Sequence, residues 1–428
     1  MRGLRILLVN PPICDFTAYD YWLKPYGLLR VAGQLRGQAE LQLFDFLDRL
    51  HPSMPPGLKR DPWGRGAFPA EVLPKPAALA PIRRRYHRFG LPRPLLGEFL
   101  RSQAPFDAVL VQTTMTYWYP GVQEVVAEVR AASPKSAVVL GGVYATLCPD
   151  HARSLGADLV VEGQDLEPLW DLLGVRGQAG SLPYWEGYQK LETGVVKLTE
   201  GCPFRCTYCS VPQLYPKFSG DVERALAEIE LLQRCGVQRL AFYDDALLFR
   251  EEELLLPLLE EVIRRGYGLE LHTPNALNAR FITPTVAELM VRAGFRSFYL
   301  GFESSAYTWQ KKTGGKVYSA ELVAAVAALE EAGADRRAIT AYLIAGHPRG
   351  EQQEVEASMH FAHSLGIRLM LSEFSPIPNT PDGEACREWV DLDEPLWHNK
   401  TAFAEHFLGS GELNRLKALC HHLNRALN

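Results

Sequence analysis

VVKLTEGCPFRCTYCS, residues 195–210, joins a short apolar run to a loop that carries Cys202, Cys206 and Cys209, and its reading decides the fold. The β-branched pair and the glycine that follows make the run a strand and the cysteine stretch the loop at its carboxyl end. An even number of cysteines would suggest a disulfide staple or a closed zinc site. Three within eight residues suggest a metal centre with one position left open. Structural zinc needs a fourth ligand, and the candidates, Cys235 and His272, lie in other elements.

Downstream of this stretch, strand-like and helix-like runs alternate: RLAFYDDA, EEELLLPLLEEVIRRG, GLELHTP, TVAELMVRAG, SFYLGFES, SAELVAAVAALEEAG, AITAYLIAG, EQQEVEASMHFAHSLG and RLMLSEFSP. With the opening strand they make six strands, so residues 195–385 are expected to form a partial (β/α)6 barrel of TIM type. Residues 386–428 then form a helical tail. In such barrels the working side chains lie at the carboxyl ends of the strands, which places the cysteine loop on the active rim.

Upstream, residues 1–175 also alternate: RILLVN, YGLLRVAGQL, LQLFDFL, AVLVQTT, GVQEVVAEVRAA, AVVLGG, HARSLG and DLVVEG. Short continuous runs of Val, Leu and Ile are the mark of strands covered on both faces. The expectation is an α/β, doubly wound, Rossmann-like domain, with ligands beyond the carboxyl ends of its strands. Those ends read NPP, TTMTYWY, GGVYA and EGQD. A proline- and glycine-rich insertion at 51–93 interrupts the pattern and carries nine Lys or Arg against two acids, a net of +7. It reads either as a solvated loop or as a lid for an acidic or phosphate-bearing ligand. Residues 176–194 read as a linker.

The chain has 428 residues, 47% hydrophobic and 22% charged, with a formal net charge of -5. This is the composition of an ordinary globular protein and points neither to bulk nucleic-acid binding nor to a membrane. The apolar runs are far shorter than the ~20 residues of a membrane span. The apolar run at the N-terminus is too short for a secretion signal, and five of the eight cysteines are scattered, so a cytoplasmic, reducing location is expected.

The spacing C-x-x-x-C-x-x-C, with Tyr208 before the third cysteine, resembles the cluster motif of the radical SAM superfamily. The resemblance implies that Cys202, Cys206 and Cys209 hold three irons of a [4Fe-4S] cluster. The fourth iron is left for S-adenosylmethionine (SAM), which is reductively cleaved there to a 5'-deoxyadenosyl radical. The same resemblance places SAM against Tyr208, against Asp244 or Asp245 of AFYDDALLF, Asn275 of HTPNALN, and Glu303 and Ser304 of GFESS. IAGHPRGE resembles the family's G-x-P-G-E segment, except that His347 and Arg349 interrupt it. A low-potential electron donor of the flavodoxin or ferredoxin type is implied as partner.

Residues 1–175, with NPP, PYGLLRVAGQL, GGVYATLCP and DLVVEGQDLEPL, resemble the cobalamin-binding domain that precedes many radical SAM barrels. This implies cobalamin against Asn10, Thr113, Thr114, Tyr117, Gly141, Gly142, Val143, Glu162 and Gly163. The glycines would allow close backbone approach, the threonines would donate hydrogen bonds, and Tyr117, Trp118 and Tyr119 would stack. No D-x-H-x-x-G sequence occurs, so no protein histidine is expected below cobalt.

Together these features imply a cobalamin-dependent radical SAM enzyme, a methyltransferase acting at an unactivated carbon of a small molecule. The alternative is a cobalamin-binding radical SAM enzyme that rearranges, cyclises or oxidises without methyl transfer; product mass separates the two. A non-catalytic iron-sulfur sensor or electron carrier is the alternative from another class. A tRNA-modifying methylthiotransferase would need three further clustered cysteines in the first domain, where only Cys14 and Cys148 occur. No residue is assigned a catalytic role beyond cofactor binding, and the substrate is not legible.

Overall fold

The computed structural model describes residues 3–427. It divides into two compact units. One holds the residues up to Ala80 with Arg84–Gly194 and Glu230–Gly236; the other holds Pro81–Arg83, Val195–Ile229 and the residues from Val237 on.

The first unit is built on five strands, β1 (Leu4–Asn10), β2 (Ala39–Asp45), β3 (Ala108–Thr113), β4 (Ala137–Gly142) and β5 (Leu159–Val161), in the order β5-β4-β3-β1-β2. All four pairings are parallel. Alternate residues of β1 face opposite ways. Leu7 and Val9 pack with Val122, Val125, Val126 and Val129 of helix α2 (Tyr119–Ala132), while Ile6 and Leu8 pack with Leu28, Ala32 and Leu35 around helix α1 (Tyr26–Gln34). Each fully buried aliphatic side chain stabilises the fold by about 1.5–3 kcal/mol. Because α1 follows β1 on one face and α2 follows β3 on the other, the connections leaving these two neighbouring strands part at their carboxyl ends, the usual ligand crevice of such sheets.

The insertion at 51–93 adds small antiparallel sheets to this unit, pairing Tyr86–Phe89 with Ile13–Asp15 and Ala70–Leu73, and Gly66–Ala67 with Tyr19–Asp20. Several of its cations are spent internally. Arg88 is buried and pairs with Glu124 at 2.7 Å, and Arg93 reaches the same carboxylate at 3.3 Å. Arg60 pairs with Glu192, and Arg65 pairs with Asp61 while lying over the rings of Tyr21, Trp22 and Trp63. The segment is therefore an ordered elaboration in which four of the nine cations are held in ion pairs within this unit. Residues 176–194 are fastened to the same unit: Arg36 pairs with Glu186 and donates to the carbonyls of Leu182 (2.9 Å) and Pro183 (3.0 Å).

The second unit holds six strands in sequence order, β6 (Thr193–Val196), β7 (Arg239–Phe242), β8 (Glu270–Asn278), β9 (Phe295–Glu303), β10 (Ile339–Ala345) and β11 (Arg368–Glu373), with β7 to β11 registered in parallel. Two register shifts fall near the carboxyl ends, one between Thr273 and Leu277 and one between Gly301 and Glu303. Such bulges re-aim side chains, and here they bracket Asn275 and Glu303. The exposed edge of β11 is covered by helix α3 (Ser410–Ala426), which buries Leu413, Leu416, Cys420 and Leu423. Its Asn424 accepts from the Leu369 amide and donates to the Leu369 carbonyl, both at 2.8 Å, in place of a neighbouring strand. Among the described residues no helix is long and apolar enough to cross a membrane.

Candidate functional site

The cysteine loop leaves β6 through a two-residue antiparallel pairing of Thr199–Glu200 with Ser219–Gly220. Gly201 turns the chain at φ 76°, where a Cβ would stand 2.6 Å from the Lys217 carbonyl. Inside the loop the Cys209 amide donates to the Cys206 carbonyl (3.1 Å) and the Thr207 amide to the Thr313 carbonyl (3.3 Å). Gly314, at φ 121°, lies so close that a Cβ there would be 3.1 Å from the Cys206 Cα. The loop is thus held from behind by main chain.

In front of it opens a cleft of about 500 Å3 at the carboxyl ends of the strands, lined by Cys202, Cys206, Cys209, Phe204, Tyr208, Asp245, Asn275, Glu303, Lys316 and Glu373 among others. All three cysteines are free thiols of intermediate exposure. Burial pushes each thiol up, Cys209 to about 12, with Lys316 opposing the rise at all three. Thiols in this setting stay neutral unless a cation is supplied, and bound iron supplies it. Neither Cys235 nor His272 lines the cleft. Among the described residues no three His, Cys, Asp or Glu side chains converge closely enough for a single metal ion. Three unpaired sulfurs on the wall of a roomy cleft, without a fourth, are a donor set that fits a cluster with one open iron.

The other residues expected around SAM divide. Asp245 lines the cleft and lies 3.4 Å from the buried Lys197 amine. Asp244 points inward instead, accepting from the Thr199 amide (2.5 Å) and hydroxyl (2.7 Å); burial pushes its carboxyl up to about 6. It fastens the start of the cysteine loop to the end of β7. Asn275 is in the cleft wall and donates to the carbonyls of Tyr243 and Asp244. Glu303 is buried in a left-handed conformation at φ 67°, unusual for a non-glycine residue, and faces Lys316 at 3.8 Å. Strain of this kind persists where surrounding structure enforces it, often at binding sites. Ser304 does not reach the cleft; its hydroxyl accepts from the Ala306 amide (3.1 Å), capping a turn. Tyr208 lines the cleft with its ring stacked on Trp309 (6.1 Å) and its hydroxyl bonded to Cys206. Lys316, a cleft cation that acts on all three cysteines and on Glu303, was not singled out from the sequence. No local sequence signal marks it; the turn that carries it, KKTGGK, is tied to the cysteine loop only by the close approach of Gly314 to Cys206.

In the first unit the strand ends are more self-contained. Asn10 is buried and its amide donates to Asp45 at 2.7 Å. Thr113 is fully buried, donating to the Gly141 carbonyl and accepting from the Ala145 amide. Tyr117 is buried, and Glu162 is ion-paired with Arg153. Val143 opens the short helix Val143–Leu147. Gly142 is required by the turn, since at φ 118° a Cβ would stand 2.2 Å from the Thr113 carbonyl. Gly141 and Gly163 leave space: a Cβ on the first would meet only Val161 at 3.7 Å, and on the second nothing within 4 Å. Thr114 lines a small hollow at the divergence of β1 and β3 with Asn10, Pro12, Lys24, Gln112 and Trp118. Lys24, whose amine lies 4.5 Å from the centre of the Tyr188 ring, was also missed from the sequence. The hollow itself is small, about 30 Å3, and the glycines lie outside it, so the groups left accessible at these strand ends are Thr114, Lys24 and the backbone of Gly141 and Gly163.

Comparison with known proteins adds the following. Residues 196–362 match the family profile of the Radical SAM superfamily. The chain is 26% identical over 297 residues to bacteriochlorophyllide d C-12(1)-methyltransferase of Chlorobaculum tepidum, covering 61% of this chain and 62% of that protein. It is 27% identical over 118 residues to hopanoid C-2 methylase of Rhodopseudomonas palustris, covering 26% and 22%. The chain thus spans less than two thirds of the length of these curated relatives. Among solved structures it shares its fold with the radical S-adenosylmethionine methyltransferase TsrM from Kitasatospora setae, solved with tryptophan and a SAM analogue, at TM-score 0.65 and 18% identity. That match covers 90% of this chain and 76% of the other. The cobalamin-dependent S-adenosylmethionine radical enzyme OxsB follows at TM-score 0.59 and 12% identity, covering 94% and 57%.

Proposed function

From the premise that residues 196–362 are a radical SAM domain, we propose that this protein is a cobalamin-dependent radical SAM methyltransferase acting on an unactivated carbon of a small molecule. The observation that carries the reading is the cleft itself: three unpaired cysteines on one wall, no fourth, facing Asp245, Asn275, Glu303 and Lys316. When bound there, a [4Fe-4S] cluster with SAM would supply a 5'-deoxyadenosyl radical, and cobalamin would supply the methyl carrier.

The chain's own residues would do the following. Cys202, Cys206 and Cys209 hold the cluster, with the Tyr208 hydroxyl donating to Cys206. Lys316 is suited to the carboxylate of the methionyl group, and Glu303 and Asp245 to its ammonium or to ribose hydroxyls. Phe204, Ile344 and Phe374 supply the apolar walls that a base or substrate would contact and that keep water out. Thr114, Gly141, Gly163 and Lys24 are the groups of the first unit open to cobalamin. The named methyltransferases among the relatives and the shared fold with two cobalamin enzymes support this assignment. A low-potential electron donor completes the scheme.

The test is SAM turnover under dithionite by anaerobically reconstituted protein. Methyl transfer predicts both 5'-deoxyadenosine and S-adenosylhomocysteine. Formation of 5'-deoxyadenosine alone, with a substrate product unchanged in carbon count, would replace methylation by rearrangement, cyclisation or oxidation. Absence of both would overturn the enzyme reading.

A further inference from the structure

His347 and Arg349, which interrupt the G-x-P-G-E segment, both turn to one carboxylate, that of Asp382, whose side chain is wholly buried. The Arg349 amide donates to His347 Nδ1 at 3.1 Å, so that nitrogen carries a lone pair and the ring proton sits on Nε2. Nε2 in turn donates to Asp382 Oδ2 at 3.0 Å. The Arg349 guanidinium lies 3.1 Å from Oδ1, an ion pair without a well-aligned hydrogen bond. The remaining partner of Asp382 is in the cysteine loop: the Thr207 hydroxyl donates to Oδ2, and the Asp382 amide donates to the Thr207 carbonyl at 3.1 Å.

Thr207 and Tyr208 are the two residues between Cys206 and Cys209. The same constellation holds the second as well, because the His347 ring packs edge-on against Tyr208 (6.1 Å), Trp309 (5.2 Å) and Phe374 (4.8 Å). Asp382 is the second residue of a short helix (Pro381–Glu384) after β11, and Cys386, Phe374, Val390, Leu392 and Phe403 form an apolar cluster against which Tyr208 packs. A buried carboxylate whose partners come from two segments, the His347–Arg349 turn and the cysteine loop, ties the two together, since pulling them apart leaves a charge out of water with fewer partners.

Building on the cluster assignment above, we infer that Asp382, oriented by His347 and Arg349, is a positioning residue for the Cys206–Cys209 half of the cluster loop. The departure from the family segment then serves the cluster's outer sphere and not SAM. Outer-sphere partners of metal ligands typically change metal affinity about 10- to 100-fold when removed.

The experiment compares anaerobically reconstituted wild type with Thr207→Val, which keeps shape and removes only the hydroxyl, Thr207→Ser, which restores it, and Asp382→Asn. Iron release to a chelator and the electron paramagnetic resonance spectrum of the dithionite-reduced cluster are read alongside circular dichroism. Thr207→Val and Asp382→Asn should release iron about 10- to 100-fold faster and shift the spectrum, Thr207→Ser should return both to wild type, and SAM affinity per cluster should stay unchanged. If Thr207→Val is folded and keeps the wild-type release rate and spectrum, the inference is overturned even should Asp382→Asn fail to fold. Weakened SAM affinity with an unchanged cluster would overturn it too, by returning His347 and Arg349 to SAM. Wild-type protein that takes up no iron would remove the cluster assignment itself, and the inference with it.

Discussion

The rim of the six-stranded unit and the strand ends of the five-stranded unit are built from the same kind of residue but use it differently. At the rim, Asp245, Glu303, Lys316 and three thiols face a cleft of about 500 Å3. At the strand ends of the first unit, Asn10, Thr113 and Glu162 are already engaged with Asp45, Gly141 and Arg153, and what stays open is glycine backbone. The contrast is between a cleft lined by charge and sulfur and strand ends whose polar side chains are engaged within the unit. It teaches that lining an open cleft, and not merely standing at a strand end, marks a polar residue as a candidate ligand contact: Asp245 and Glu303 line the cleft although each faces a lysine, Lys197 and Lys316.

The comparison can be broken most sharply at Cys206. Cys206→Ala is expected to abolish cluster uptake and SAM cleavage completely while corrin retention stays at the wild-type level, measured by iron and corrin content after desalting. Residual SAM cleavage would contradict the cluster assignment. Next comes Lys316→Met, which removes the cleft cation: SAM binding should weaken about tenfold or more, as expected for a hydrogen bond to a charged group, with iron content intact by calorimetry and iron assay. An unchanged SAM affinity would take Lys316 out of the site.

Gly141→Ala sharpens the other half. A Cβ there meets only Val161 at 3.7 Å in the free protein, so its melting temperature should shift little, whereas a ligand lying against this glycine would be crowded and corrin retention reduced. Retention equal to wild type would move cobalamin elsewhere. An effect on stability alone, with no loss of iron or corrin, is expected at Asp244, whose carboxyl is pushed up by burial to about 6. A pKa raised on folding means that ionisation is costlier in the native state, so this group's contribution is full below about pH 4 and is lost as pH rises to about 6, a difference of about 3 kcal/mol. Asp244→Asn should therefore flatten the fall in unfolding free energy between pH 4 and pH 7, measured by urea titration. An unaltered pH profile would mean that Asp244 is already solvated.

Much of this was legible in the sequence, for identifiable reasons. The alternation of strand and helix runs pointed to six strands in order in the second unit, because runs of β-branched, aromatic and leucine residues alternate with longer helix-period runs. The cysteine triplet was legible because sulfur at fixed spacing is rare and chemically specific. Which of Asp244 and Asp245 faces the cleft was not, since neighbouring residues at a strand end point to opposite sides and the register there depends on the loop that follows. Lys316 was hidden because lysine is common and nothing local marks it; only the close approach of Gly314 to Cys206 ties that turn to the loop. Glu303 was found from its motif, but its left-handed conformation comes from a bulge that no sequence pattern announces. In the first unit Asn10 and Thr113 looked available because their partners, Asp45 and Gly141, are supplied by other strands. In the insertion, the pairing of Arg60, Arg65, Arg88 and Arg93 with Glu192, Asp61 and Glu124 was likewise not legible, because two of these three acids come from distant sequence.

The most direct measurement is anaerobic reconstitution of the wild-type chain with iron, sulfide and hydroxocobalamin, then desalting, quantification of iron and corrin, and SAM turnover under dithionite. The account predicts one [4Fe-4S] cluster and one corrin per chain, with 5'-deoxyadenosine formed. A chain that retains iron and cleaves SAM but holds no corrin would contradict the cobalamin assignment of the first unit, and one that cleaves no SAM would contradict the account as a whole.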